Sequence, residues 1–171
     1  MTDNTQDQSQ PQAQAQDERM FQLHRIYIKD LSFESPKSPH IFLGEWQPKH
    51  EFSLNTQVNR IDDVTFEVIL TVTVTTHIGD QTAFIVEVQP AGLVGVKCFA
   101  EPELGPLLGA YCPNLLFPYA REAISDLVAK GSFPQLVLQP VNFEVLYAQR
   151  QRQMMEEMQK QAGGTPSPTI N

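Results

Sequence analysis

Between Val64 and His77 apolar and polar residues alternate without a break in register. Val64, Phe66, Val68, Leu70, Val72 and Val74 share one parity, while Thr65, Glu67, Thr71, Thr73 and Thr75 share the other. Ile69 is the one apolar residue in the second set. Successive side chains of a strand point to opposite faces, so this pattern predicts a half-buried β-strand, and its β-branched residues suit one. The turn-forming run Ile78-Gly79-Asp80-Gln81 follows. Alternation then resumes, with Phe84, Val86 and Val88 inward and Ala83, Ile85, Glu87 and Gln89 outward. Together the two runs predict an antiparallel hairpin.

Two earlier runs carry weaker patterns. In Phe21–Glu34 one parity holds Phe21, Leu23, Tyr27, Leu31 and Phe33, and the other Gln22, His24, Asp30, Ser32 and Glu34; Ile26 and Ile28 break the rule. Lys49–Val58 sets Phe52, Leu54 and Val58 against Glu51, Ser53 and Asn55. The connector Ser35-Pro36-Lys37-Ser38-Pro39 continues neither strand, because proline cannot donate to a ladder. From Leu115 the period lengthens. Leu116, Phe117, Ala120, Ala123, Ile124, Leu127 and Val128 recur at helical spacing, with Gly131 as the stop. A second helix is expected from Asn142, a good N-cap, with Phe143, Leu146, Tyr147, Met154 and Met158 on its apolar side. Strands first and helices last predict an α+β fold, a four-stranded antiparallel sheet covered on one face by C-terminal helices.

The chain has 171 residues, enough for one domain rather than two. Residues 1–19 are Gln-rich and nearly devoid of large apolar side chains, so they are expected to form a disordered tail. A second such tail is expected at 162–171, where Gly163-Gly164-Thr165-Pro166-Ser167-Pro168 is loop chemistry. The folded domain is then 20–161. Twelve Lys and Arg stand against twenty Asp and Glu, a net charge of −8. That balance disfavours nucleic acid and anionic membrane as partners, since both are bound through clustered cations. No apolar run approaches the roughly 20 residues of a membrane span, and the polar N-terminus has no signal-peptide core, so a cytoplasmic protein is expected. Cys98 and Cys112 match no redox or zinc spacing and are expected to be small buried hydrophobes.

The chemistry of known catalytic motifs is missing. H-E-x-x-H, G-x-S-x-G, the P-loop and G-x-G-x-x-G do not occur. His24, His40, His50 and His77 are scattered with no spacing that would gather a metal, and Asp62-Asp63 reads as a solvated turn. No enzyme, cofactor or metal is expected. Surface chemistry stands out instead. Between Arg60 and Lys97 there is neither Lys nor Arg, while Asp62, Asp63, Glu67, Asp80 and Glu87 lie in the interval. The hairpin should therefore carry an acidic face with Ile69 and Ile85 exposed in it. That is either ordinary solvated surface or a docking site for a basic partner, which a single-sign field would steer. Apolar residues outside the regular runs, such as Trp46, Leu93, Phe99 and Leu107, either pack in the core or line an exposed groove.

Several segments carry a resemblance. Arg25-Ile26-Tyr27-Ile28-Lys29-Asp30-Leu31-Ser32-Phe33-Glu34 with Ser35-Pro36, then Glu45-Trp46-Gln47-Pro48, resembles SecB, the bacterial protein-export chaperone family. Gly109-Ala110-Tyr111-Cys112-Pro113-Asn114-Leu115-Leu116-Phe117-Pro118-Tyr119-Ala120-Arg121-Glu122 is the most specific match. Gly131-Ser132-Phe133-Pro134-Gln135-Leu136 and Pro140-Val141-Asn142-Phe143 complete it. The resemblance runs from about Met20 to Tyr147, while Leu93–Pro106 departs from it. It implies an ATP-independent holdase that binds unfolded precursor proteins and delivers them to the translocase ATPase SecA. It also implies a homotetramer, a dimer of dimers, with no cofactor. Family positions that touch SecA correspond to Asp30, Glu34, Ile85 and Glu87. Trp46 matches a residue of the client-binding groove, and Tyr147, where a Phe is common, is assigned there too. Two rivals come from other classes: a small enzyme acting on an acyl or other small-molecule substrate, and an adaptor docking one basic partner through the acidic sheet face.

Overall fold

The computed structural model describes residues 19–162, so the tail expectations for 1–18 and 163–171 lie outside the described residues. Four strands come first: β1 (Met20–Glu34), β2 (Pro48–Arg60), β3 (Thr65–Ile78) and β4 (Gln81–Lys97). A short 3₁₀ turn, His40–Leu43, interrupts the connector between β1 and β2. The helices α1 (Glu101–Pro106), α2 (Cys112–Lys130) and α3 (Phe143–Ala162) follow. The sheet is antiparallel throughout, in the order β1-β4-β3-β2. β3 and β4 are joined by a tight turn in which Gly79 adopts φ 57, a left-handed conformation natural to glycine.

The central hairpin builds the core. Val68, Leu70, Val72 and Val74 of β3, with Phe84, Val86 and Val88 of β4, are fully buried on the inner face. Across from them α2 presents Leu116, Phe117, Ala120, Ile124 and Val128, a stripe at helical spacing. Thr76 is also fully buried there; its hydroxyl is paired with the His50 ring at 2.9 Å. The expected α+β architecture therefore stands, with α2 as the helix that covers the sheet. Among the described residues, no helix is long and apolar enough to cross a membrane.

Several local expectations are corrected. β4 does not end near Gln89 but continues through Pro90 to Lys97. Helical structure begins at Glu101 rather than Leu115: α1 passes through a π-helical turn, Leu107–Tyr111, into α2. Pro106, Pro113 and Pro118 each remove a helical donor, and such sequences mask a helix from periodicity alone. α2 ends at Lys130 as expected, yet the left-handed residue is Ser132, φ 64, and not Gly131. Cys112 is buried, and burial pushes its thiol up to about 12. Cys98 is exposed, at φ 58 just beyond β4, where the chain turns towards α1. Arg19, placed in a tail by composition, pairs with Glu103 at 3.0 Å.

The β1 exceptions have a structural cause. Its pairing with β4 shifts register twice, between Leu23 and Arg25 and between Ile28 and Asp30. Each bulge inserts one residue and so flips the parity that follows. Between the bulges Ile26 lies opposite Gly92 and Ile28 opposite Pro90, on the inner face, while Tyr27 lies opposite Ala91 on the outer face. Tyr27 was expected with Phe21 and Phe33; the bulges overturn that.

Candidate functional site

The sheet has two faces of different chemistry. On the outer face, Glu34 lies opposite Ile85, Ser32 opposite Glu87 and Asp30 opposite Gln89. Asp30, Glu34, Ile85 and Glu87 thus form one patch across β1 and β4. Asp30 and Glu34 are exposed, and Ile85 and Glu87 half-buried. Glu87 is oriented by Thr73, whose hydroxyl donates to it at 2.8 Å, and by Gln89, whose amide donates at 3.0 Å.

Two other members of the expected acidic face behave differently. Ile69 is on the outer face but only 5% exposed, between Gln57 of β2 and Ala91 of β4. Glu67 is only 8% exposed and saturated with donors. Lys29 Nζ donates to its two oxygens at 2.7 and 2.8 Å, Asn59 donates at 2.9 Å, and the Tyr27 hydroxyl donates as well. Hydrogen bonds from Lys29, Tyr27 and Asn59 hold the Glu67 carboxyl down at about 2. The bond to Glu67 pushes the Tyr27 phenol up to about 12. Strict alternation makes Glu67 a solvent-side glutamate. The sequence signal for its pairing is the broken parity at Ile26 and Ile28, which moves Tyr27 to this face. Asp62 behaves as a turn carboxylate: it accepts from the Val64 and Thr65 amides at 2.9 and 2.8 Å, which lowers its pKa.

On the inner face α2 leaves the edge strands partly uncovered. Phe52 on β2 is 43% exposed and Leu31 on β1 is 48% exposed, although both sit at core-facing parity. Trp46, 36% exposed, precedes β2 and packs against Phe133 with centroids 5.6 Å apart. Phe133 in turn contacts Phe42, Phe84 and Phe33. Asn142 caps α3 as expected, its side chain accepting from the Val145 amide at 3.1 Å. α3 does not lie flat on the sheet. It packs on the π-helical turn, and Arg150 reaches Asn55 on β2 at 3.0 Å. Tyr147 is half-buried beside that turn, in a cleft of about 480 Å³ shared with Phe99, Leu107 and Tyr111. A Cβ added at Gly109 would stand 2.6 Å from the Tyr147 ring, so the close approach depends on glycine. Met154, Met155 and Met158 are exposed, which corrects the expectation that the α3 methionines pack.

Trp46 and Tyr147 are not brought together. Trp46 belongs with Phe33 and Phe84, near the β3–β4 turn, whereas Tyr147 shares its cleft with Tyr111, which packs edge-on against Phe21 at 5.4 Å. Phe21 and Phe33 are separated by most of β1, roughly 40 Å at the rise of an extended strand.

Comparison with known proteins gives a consistent picture. The family described as preprotein translocase subunit SecB matches residues 13–154. "Protein-export protein SecB" of Methylococcus capsulatus is 49% identical over 144 residues, covering 84% of this chain and 93% of that protein. The protein of the same description from Pseudomonas syringae pv. tomato is 52% identical over 150 residues, 88% of each chain. That of Pseudomonas paraeruginosa is 48% identical over 170 residues, 99% of this chain and 96% of that one. Among solved structures, a SecB-like chaperone of Mycobacterium tuberculosis in complex with an antitoxin peptide aligns with a TM-score of 0.60. It has 19% identity, covers 71% of this chain and 90% of its own, and supports the fold.

Proposed function

The chain belongs to the SecB family of protein-export chaperones, and from that premise we propose that it is an ATP-independent holdase that keeps precursor proteins unfolded and passes them to SecA. The observation that carries this reading is the different chemistry of the two faces of one sheet, acidic outside and apolar inside. Unfolded chains share no sequence, only exposed apolar side chains and unpaired backbone. A receptor for them needs non-directional burial, and the uncovered inner face offers Trp46, Phe52 and the Tyr147 cleft for that purpose. The separation of Trp46 from Tyr147 suits an extended client segment on the order of ten residues long, at about 3.3–3.6 Å per residue.

The outer patch takes the translocase. Asp30, Glu34 and Glu87 supply three carboxylates around the half-buried Ile85, a surface matched to a cationic partner segment such as a zinc-holding tail of SecA. Reversing Asp30, Glu34 and Glu87 to Lys is expected to weaken SecA docking by at least about tenfold at low salt. Added salt should weaken the wild-type complex in the same direction. Client holding should persist, because its residues lie on the other face. Calorimetric titration with SecA measures the first; suppression of aggregation of several unrelated denatured proteins, without ATP, measures the second. Wild-type docking by the triple variant would remove the outer patch from the reading. Failure to hold unrelated clients would leave the adaptor, a protein that docks one basic partner through its acidic face.

A further inference from the structure

Glu67 is a buried carboxylate that neither client binding nor docking uses. It sits on β3, two strands from β1, yet three donors from β1 and β2 converge on it. The first β1 bulge turns Tyr27 and Lys29 to this face, and the second decides what stands beside Lys29. Ile28 faces inward opposite Pro90 and Asp30 outward opposite Gln89, and the inserted residue between them is Lys29. In a regular strand Lys29 and Asp30 would point to opposite faces. The bulge puts them side by side on the outer face, a cation next to the first carboxylate of the acidic patch. Lys29 nevertheless makes no bond to Asp30. Its ammonium extends across β4 and meets both Glu67 oxygens, at 2.7 and 2.8 Å. β4 is crossed near Ala91, the residue opposite Tyr27, where the small side chain leaves room.

We propose that Glu67 is a positioning residue for the acidic docking patch: it draws the Lys29 ammonium across β4, away from Asp30, so that Asp30 and Glu34 meet a cationic partner unneutralised. The inference rests on the docking role assigned to Asp30, Glu34, Ile85 and Glu87. Tyr27 and Asn59 fill the remaining lone pairs of Glu67 and fix its carboxylate in place. Lys29 contributes nothing to docking in the wild-type protein because its charge is already matched.

The test uses the full chain and purified SecA, titrated at low ionic strength, with the triple reversal of Asp30, Glu34 and Glu87 as reference. Glu67→Gln is expected to weaken docking about five- to tenfold and to flatten its salt dependence, since the freed Lys29 then pairs with Asp30. Lys29→Gln is expected to dock within twofold of wild type. The double variant Glu67→Gln/Lys29→Gln is expected to recover to within twofold as well, a rescue that a merely structural role for Glu67 does not produce. The proposal is overturned by a double variant as weak as Glu67→Gln, or by Glu67→Gln docking like wild type. Should Glu67→Gln fail to fold, Lys29→Gln alone still decides: docking tightened more than threefold means that Lys29 was opposing the partner all along, and the proposal is lost. If the reference triple reversal docks normally, the docking patch itself is wrong, whatever the Glu67 variants do.

Discussion

At the scale of single residues, Glu67 and Tyr27 make the protein's stability depend on pH from both sides. The Glu67 carboxyl is depressed from 4.5 to about 2 in the folded chain. Its contribution is therefore complete above its unfolded value and is lost as pH falls from about 4.5 towards about 2. Tyr27 is the mirror case, raised from 10.0 to about 12, so its contribution is complete below 10 and is lost as pH climbs towards 12. Thermal melts across this range should show an acid limb that Glu67→Gln flattens and an alkaline limb that Tyr27→Phe flattens. An acid limb unchanged in Glu67→Gln would locate it elsewhere. Much at this scale was open to reading. Asn142 as a cap and Cys112 as a buried hydrophobe follow from residue type. Glu67 did not, because its pairing depends chiefly on Tyr27 and Lys29, 40 and 38 residues away in sequence. Cys98 was misjudged because a turn, not a strand, carries it.

At the scale of elements, β3 was legible because its pairing is unbroken with β2, shifts with β4 only beyond Thr76, and one face is buried along almost its whole length. β1 was legible only in part: an edge strand tolerates bulges, and each bulge scrambles period-two alternation without lowering its apolar content. The helical start hid among prolines, which periodicity treats as breaks. The placement of Trp46 and Tyr147 on different elements sets up a separable prediction. Each ring, buried against a client, contributes about 1.5–3 kcal/mol, so Trp46→Ala with Tyr147→Ala should weaken client binding by on the order of 100-fold or more. Trp46→Ala should leave the melting temperature within a few degrees, because the ring is already partly open to solvent. Tyr147→Ala should also loosen α3, since the ring is the contact that seats this helix against Gly109. Fluorescence titration with an unfolded precursor, paired with melting curves, reads both effects. Full client affinity in a stable double variant would take these two rings out of the groove.

At the scale of the whole molecule, the layer of helices is too narrow for the sheet. α2 covers β3 and β4 and leaves β1 and β2 with unpaired edges and exposed apolar side chains on the inner face. Exposed edges invite pairing with another chain. The buried Arg121 Nε, with no hydrogen-bond partner among the described residues, and the exposed Tyr119 mark α2 itself as unfinished. We propose that a homotetramer completes both; light scattering at micromolar concentration is then expected to give about four times the 19.3 kDa chain mass, and a monomer there would exclude it. Architecture and family were readable from the chain, whereas assembly surfaces were not: inward parity alone does not tell a core position from an interface. The strictness of β4 has one more consequence. Phe84, Val86 and Val88 serve the core, while Ile85 and Glu87, between them, face the other way. Neighbouring codons thus answer to different demands. If the proposed docking role of Ile85 and Glu87 holds, a lineage can drift at 85 and 87 to follow a changing translocase while 84, 86 and 88 keep the fold, and partner specificity evolves in the interstices of a stretch that stability holds fixed.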